Sequence, residues 1–394
     1  MSRFTRREFL GALGPGMAAW RGASRPSYEK GRSAVSPGSE EPPSIRRYRP
    51  LGRTGLKISD VSFGAISLFE PNVLRYAFDR GVNFFDTAET YVRSNSERYI
   101  GQALGGIRDK IYLATKHGFP APDRIRRANI IRRMEASLRR LKTDYVDIGM
   151  IHGVQDLSLL DNPELRAGYD ALKRSGKIRF TGFSTHNAAV TLPQALESDF
   201  ADMALVIYNH MEGPDIEPLI VRAREKGIGI IAMKVFAGGK HGRLSTLIGP
   251  DVSYPQTAIR WALAGPGVDA CLVTMSSYSH VDEYVAASGQ PLNREDLEVI
   301  GAYREQAGPL YCRVSCAECL SSCPHGLAIN DILRFGMYFE DYHMEKEAMR
   351  LYAELPGGGR PLPCQHCPGP CVDACPHGLD VRSLLLRAHE QLSP

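Results

Sequence analysis

The chain has 394 residues, more than one ordinary core of about 100–200 residues holds, so a large domain and a smaller one are expected. Its net charge of +4 gives no electrostatic basis for nucleic-acid binding, and no apolar run is long enough to span a bilayer as a mature helix. Of nine cysteines, eight lie between Cys312 and Cys375, a clustering that points to a metal site rather than to disulfides spread over a secreted fold.

Residues 1–27 open with SRFTRREFLGALGPGMAAW. Arg6-Arg7, followed by Phe9-Leu10 and a weakly apolar Gly/Ala stretch, resembles a twin-arginine export signal. The implied location is the periplasm or the outer face of a bacterial cytoplasmic membrane. An uncleaved leader would allow membrane association. Residues 28–46 are rich in Ser, Pro, Gly and charge and read as a flexible linker.

From Tyr48 apolar runs alternate with helix-compatible stretches. Strands are predicted at Val61–Ile66, Asn83–Phe85, Ile111–Thr115, Val146–Ile151, Ile178–Phe183, Met203–Tyr208, Gly229–Val235 and Ala270–Met275. A helix is predicted at Ile130–Leu141, with Ile130, Met134, Leu138 and Leu141 on one face and Asn129 as its cap. Eight strands alternating with helices over about 240 residues predict an α/β fold, a (β/α)8 TIM barrel spanning residues 47–308. An open doubly wound sheet is disfavoured, because no G-x-G-x-x-G follows any strand.

In such a barrel, chemistry sits where strands end at the carboxyl face. Asp86 ends the second strand, in GVNFFDTAETY, and Tyr91 follows in its loop. Lys116 ends the third strand and His152 the fourth. Tyrosine, with a reference pKa of about 10, is a reluctant acid. A neighbouring Lys⁺ is expected to lower that value, with an Asp holding the lysine charged and a histidine donating to a carbonyl oxygen. These four residues suit carbonyl reduction, with the hydride supplied by a cofactor.

The stretches RPLGRTGLKISDVSFG, GVNFFDTAETY, ATKHG, SLRRLKTDYVDIGMIHG and GKIRFTGFS, in that order over residues 47–290, resemble the aldo/keto reductase family. The resemblance implies NAD(P)H bound without a Rossmann fold, a small carbonyl or alcohol substrate, and Tyr91 as general acid of a tetrad with Asp86, Lys116 and His152. It also implies cofactor contacts at Ser184, Tyr208, Gly238, Gly239, Lys240, Ser276, Ser277 and Glu283. The chain departs from the family pattern at Thr185-His186, Leu205 and Tyr284; Met233 or Phe236 stands in for the usual aromatic against the nicotinamide.

Residues 309–394 carry Cys312, Cys316, Cys319 and Cys323-Pro, then Cys364, Cys367, Cys371 and Cys375-Pro. This resembles the ferredoxin-type run, in which three thiolates hold one [4Fe–4S] cluster and the Cys before Pro ligates the other. A small, mainly helical ferredoxin-like domain with two clusters, drawing on an unidentified redox partner, is the expectation. Paired C-x2-C spacings also suit zinc. Similar double motifs follow the barrel in one branch of the family. The reading is therefore an oxidoreductase coupled to iron–sulfur electron transfer. The alternative is a non-catalytic electron-transfer protein that uses a degenerate barrel as scaffold.

Overall fold

The computed structural model describes residues 41–119, 124–212, 214–239, 252–342, 344–355 and 362–393. The Arg6-Arg7 leader and Lys240 lie outside them. From Pro42 on, the chain forms one compact unit. A short antiparallel hairpin, β1 (Tyr48–Pro50) and β2 (Lys57–Ser59), precedes eight parallel strands. These are β3 (Val61–Gly64), β4 (Phe84–Asp86), β5 (Tyr112–His117), β6 (Val146–Val154), β7 (Ile178–Thr185), β8 (Met203–Ile207), β9 (Gly229–Met233) and β10 (Ala270–Thr274). They pair in sequence order, and β10 closes the ring by pairing with both β9 and β3. The eight predicted strands all form, with ends shifted by one to three residues.

The helices between strands are α1 (Pro71–Asp79), α2 (Asn95–Leu104), α3 (Arg127–Leu141), α4 (Pro163–Arg174), α5 (Ala188–Glu197), α6 (Glu217–Glu225) and α7 (Tyr254–Ala264). Helix α8 (Tyr278–Val285) follows β10. In α3 the predicted face is buried: Ile130, Met134, Leu138 and Leu141 all point inward. Its cap is not Asn129. The helix begins three residues earlier than predicted, after an extended Arg126, and Asn129 instead accepts from Arg132 at 3.1 Å. The apolar period read correctly, but a start without a capping side chain left no polar signal at its true position.

Strand alternation sorts the core into two layers. Phe84, Ala114, Ile148, Met150, Met203, Leu205, Ile231 and Ala270 fill the barrel, while Phe85, Ile151, Phe183, Ala204, Val206 and Ile230 pack outward against helices. Leu51, Leu56 and Ile58 of the hairpin join the inner set, so the hairpin stoppers the end where the strands start. The carboxyl ends are covered by the rest of the chain: α9 (Arg294–Gln306), α10 (Ile329–Glu340), α11 (Glu345–Ala353), the short α12 (Pro370–Asp373) and α13 (Val381–Leu392). Ile329, Ile332, Phe335 and Leu385 from these helices share one core with Ile207, Ala237, Tyr254 and Ala258 of the barrel rim. Among the described residues, no helix is long and apolar enough to cross a membrane.

The hairpin is seated through Gly52. Its φ is 50°, its N–H donates to Asp269 at 3.2 Å, and an added Cβ would lie 2.3 Å from the amide nitrogen of Gly229. Gly52→Ala meets rigid backbone in a left-handed conformation, so destabilisation of about 2–4 kcal/mol is expected. A thermal melt reads it; an unchanged midpoint would mean the hairpin does not seat as described.

Candidate active site

Strands β4, β5 and β6 are neighbours in the ring, and their inward positions bring Asp86, Lys116 and His152 to one side of the mouth. Lys116 and Asp86 are each only 1% exposed. The Lys116 ammonium donates to Asp86 Oδ1 and, at 2.8 Å, to the Thr87 carbonyl. Burial lowers the lysine pKa and raises that of Asp86, and in each case the partner's charge opposes the shift. Glu97, fully buried on α2, adds negative charge behind the lysine while accepting from Thr115 and Arg140.

Tyr91 opens a single 3₁₀ turn after β4. Val92, Arg93 and Ser94 then hold φ of 50°, 53° and 67°, a run of left-handed non-glycine backbone that costs free energy and recurs at functional sites. The Tyr91 ring lies 5.6 Å from the His152 ring in a T-shaped arrangement, and Lys116 Nζ stands 4.9 Å from the Tyr91 ring centroid. Among the described residues, no side chain or backbone group hydrogen-bonds the Tyr91 hydroxyl or the His152 ring. Both polar tips are therefore available to a ligand.

The expected lowering of the Tyr91 pKa by Lys116 is not what the surroundings produce. Burial pushes the phenol well above its ordinary value, and Asp86 and then Tyr338 push the same way. The lysine's charge is directed to Asp86. Burial, with help from Lys116 and His117, drops His152 to about 3, so its imidazole is neutral.

The expected cofactor residues divide. Ser184 faces inward on β7, and its hydroxyl accepts from the Gly153 N–H at 2.9 Å. Ser276 is exposed after β10, Ser277 caps α8, and Glu283 accepts from Ser253 at 2.8 Å. Tyr208 is not at the mouth. It is 0% exposed in the strand–helix layer, stacked on Trp261 and bonded to Glu217 at 2.6 Å. Alternation along β8 turns it outward, since Leu205 and Ile207 take the inward places. Gly238 and Gly239 admit rings of the C-terminal segment: an added Cβ would come within 2.5 Å of Tyr311 and 2.6 Å of Tyr342. Close approach by those tyrosines accounts for both glycines.

Residues not anticipated from sequence also reach the mouth. Lys234 follows β9 and donates to the Tyr338 hydroxyl at 2.8 Å; Arg334 Nη1 lies 3.4 Å from His186 Nδ1. Tyr338 and Arg334 come from α10. The only available signal was their i, i+4 spacing, which any amphipathic helix shares.

None of the nine cysteines is paired in a disulfide. Cys271 is buried on β10 among apolar neighbours. Burial, then Cys319, Cys316 and more weakly Cys375, push Cys312 up to about 12. Burial, then Cys375, Cys316 and Cys371, push Cys319 up to about 11. In the second run, Cys323 is the strongest thiol neighbour of both Cys364 and Cys371, and Cys367 also acts on each. Each run thus feels the last cysteine of the other. Among the described residues, no group of three or more His, Cys, Asp and Glu side chains is arranged to hold a metal ion.

The chain is similar to known proteins. Residues 69–246 match the aldo/keto reductase family model. L-galactose dehydrogenase of Arabidopsis thaliana is 30% identical over 61% of this chain and 87% of its own. An uncharacterized oxidoreductase of Bacillus subtilis, YqkF, is 27% identical over 66% of this chain and 97% of its own. The holo form of aldo-keto reductase AKR11C1 from Bacillus halodurans superposes with a TM-score of 0.56 at 25% identity, covering 65% of this chain and 95% of that one. The chain belongs to the aldo/keto reductase family and is an oxidoreductase enzyme.

Proposed function

We propose that this oxidoreductase interconverts a small carbonyl compound and its alcohol at Asp86, Tyr91, Lys116 and His152. The observation that carries this is the pairing of two unbonded polar tips, Tyr91 and His152, in front of a buried Lys116–Asp86 pair. In the reducing direction, Tyr91 gives its proton to the carbonyl oxygen. The neutral His152 imidazole orients that oxygen through a hydrogen bond. Lys116, over the ring face, positions the phenol, and Asp86 keeps the lysine charged and in place. Solvent then returns the proton to Tyr91. A nicotinamide nucleotide, which the family generally uses, supplies the hydride when bound. Ser184 would hold its nicotinamide end and Ser276 and Ser277 its phosphate end, whereas Gly238 and Gly239 are already engaged by Tyr311 and Tyr342.

Tyr91→Phe keeps the ring and removes the transferable proton, so carbonyl turnover should fall by about 10²–10⁴-fold. In the wild type, reduction should stay flat from about pH 5 to about pH 8, since His152 titrates near 3 and Tyr91 above its usual value. Equal turnover by Tyr91→Phe would remove the phenol from the mechanism, and a steep step in that pH range would mean that Tyr91 or His152 titrates elsewhere.

We also propose that the eight clustered cysteines hold two [4Fe–4S] clusters, which relay single electrons when bound. Cys312, Cys316, Cys319 and Cys375 form one set; Cys364, Cys367, Cys371 and Cys323 form the other. Support comes from the crossed thiol neighbourhoods. Converging thiolates repel one another unless a cationic core sits among them, and a cluster spreads its four sulfurs wider than one ion does. About eight irons per chain are expected after anaerobic purification. Cys323→Ser should disturb the cluster of the second run more than that of its own. Stoichiometric zinc, or loss confined to the first run, would overturn the assignment.

The TRREFL leader supports export by a twin-arginine route. Lys at positions 6 and 7 should block export in cell fractionation; unchanged export would reject that route.

A further inference from the structure

Two cations, Lys234 after β9 and Arg334 on α10, stand at the mouth. Lys234 is held at φ 55°, a left-handed conformation that a lysine adopts only at a cost in free energy. Asn209 fixes that turn by donating to the Lys234 carbonyl at 3.0 Å. The strained turn directs the ammonium to the Tyr338 hydroxyl, with Nζ 5.0 Å from the ring centroid. Arg334 lies one turn before Tyr338 on α10 and so shares its face. Its side chain is 15% exposed and reaches His186.

The charges at the mouth do not cancel. Lys116 has Asp86, and Arg334 has Asp331, itself 44% exposed. Among the described residues, Lys234 has no carboxylate partner and donates only to a phenol. His186 adds no counter-charge: burial, then Lys234 and Arg334, push its pKa well below normal and keep it neutral. A half-buried ammonium given only a neutral acceptor is under-satisfied. The same groups act on the proposed site, since Tyr338 acts electrostatically on Tyr91 and His152 on His186.

We propose that Lys234, Arg334 and Tyr338 recognise the carboxylate of the substrate, so that the enzyme acts on small oxo acids and the corresponding hydroxy acids. The assignment rests on the carbonyl–alcohol reading of the Tyr91 site. The guanidinium fork and the ammonium bind the two carboxylate oxygens, and the Tyr338 hydroxyl, released as acceptor by Lys234, donates to one of them. A carboxylate held there leaves a nearby carbonyl facing Tyr91 and His152. Helix α10, part of the cysteine-rich segment, thereby becomes a specificity element of the barrel. The nucleotide's phosphates are the competing occupant, because Ser276 and Ser277 follow β10, the neighbour of β9 in the ring, and the test separates the two.

The test uses the full-length protein and a matched pair of unreactive probes: oxamate, which carries a carboxylate, and oxamide, its neutral counterpart. Calorimetric titration should show oxamate binding roughly tenfold to hundredfold tighter. Lys234→Gln and Arg334→Gln should each erase most of that preference, Lys234→Arg should restore part of it, and Tyr91→Phe should retain it. With 2-oxobutanoate as substrate, the two Gln variants should raise KM by a similar factor with little change in kcat. Equal binding of oxamate and oxamide by the wild type overturns the proposal. So does weakening of NADPH binding in the variants with oxamate binding unchanged, which would give the cations to the nucleotide. The probe arm needs no turnover. Tight oxamate binding without 2-oxobutanoate reduction would therefore count against the carbonyl–alcohol reading while the anion site stands.

Discussion

The buried contact between Lys116 and Asp86 is the constraint on which the mouth depends. Two opposite charges, each nearly sealed from water, are tolerable only because each is the other's partner. Removing one alone would strand the other, at a cost of about 3–5 kcal/mol. The pair therefore fixes the ends of β4 and β5 relative to each other. The Thr87 carbonyl and Glu97 extend that fixation into the loop before Tyr91 and into α2. A strained turn can follow Asp86 because its two sides are already held.

A second dependence runs through the rim. In the described part of the chain, the cysteine-rich segment shares its core with barrel residues and contributes ring contacts to the loop after β9. Glu212, just after β8, accepts from Tyr311 and, at 2.8 Å, from the Ser315 amide. These are interior contacts, with interior packing, between parts of the chain that differ sharply in composition. The barrel end that carries chemistry is thus roofed by the part that carries the thiols.

Much of this was legible in the chain itself. The eight strands could be read because parallel barrel strands are short apolar runs bounded by turn residues. Asp86, Lys116 and His152 could be read because each ends such a run. What resisted reading was whatever depends on burial and on facing. The Tyr91 pKa shift depends on which partner takes the charge of Lys116, and a spacing does not say. Tyr208 follows a correctly placed strand, yet one step of alternation sends it away from the mouth. Gly238 and Gly239 looked like phosphate-loop glycines because the rings pressed against them lie some seventy to a hundred residues further on. Lys234 was in view as part of MKVFAGGK, but its partner Tyr338 belongs to a helix that reads as part of the thiol segment.

The seats on which that roof rests come from separate parts of the barrel. Ile207 ends β8, Ala237 lies in the loop after β9, and Tyr254 begins α7. They become one surface only when the ring has closed. The order of assembly follows: during synthesis the barrel emerges first and the thiol segment last, so the last part docks onto a surface that the first has already made. On that order the roof and α10's side chains reach the mouth last.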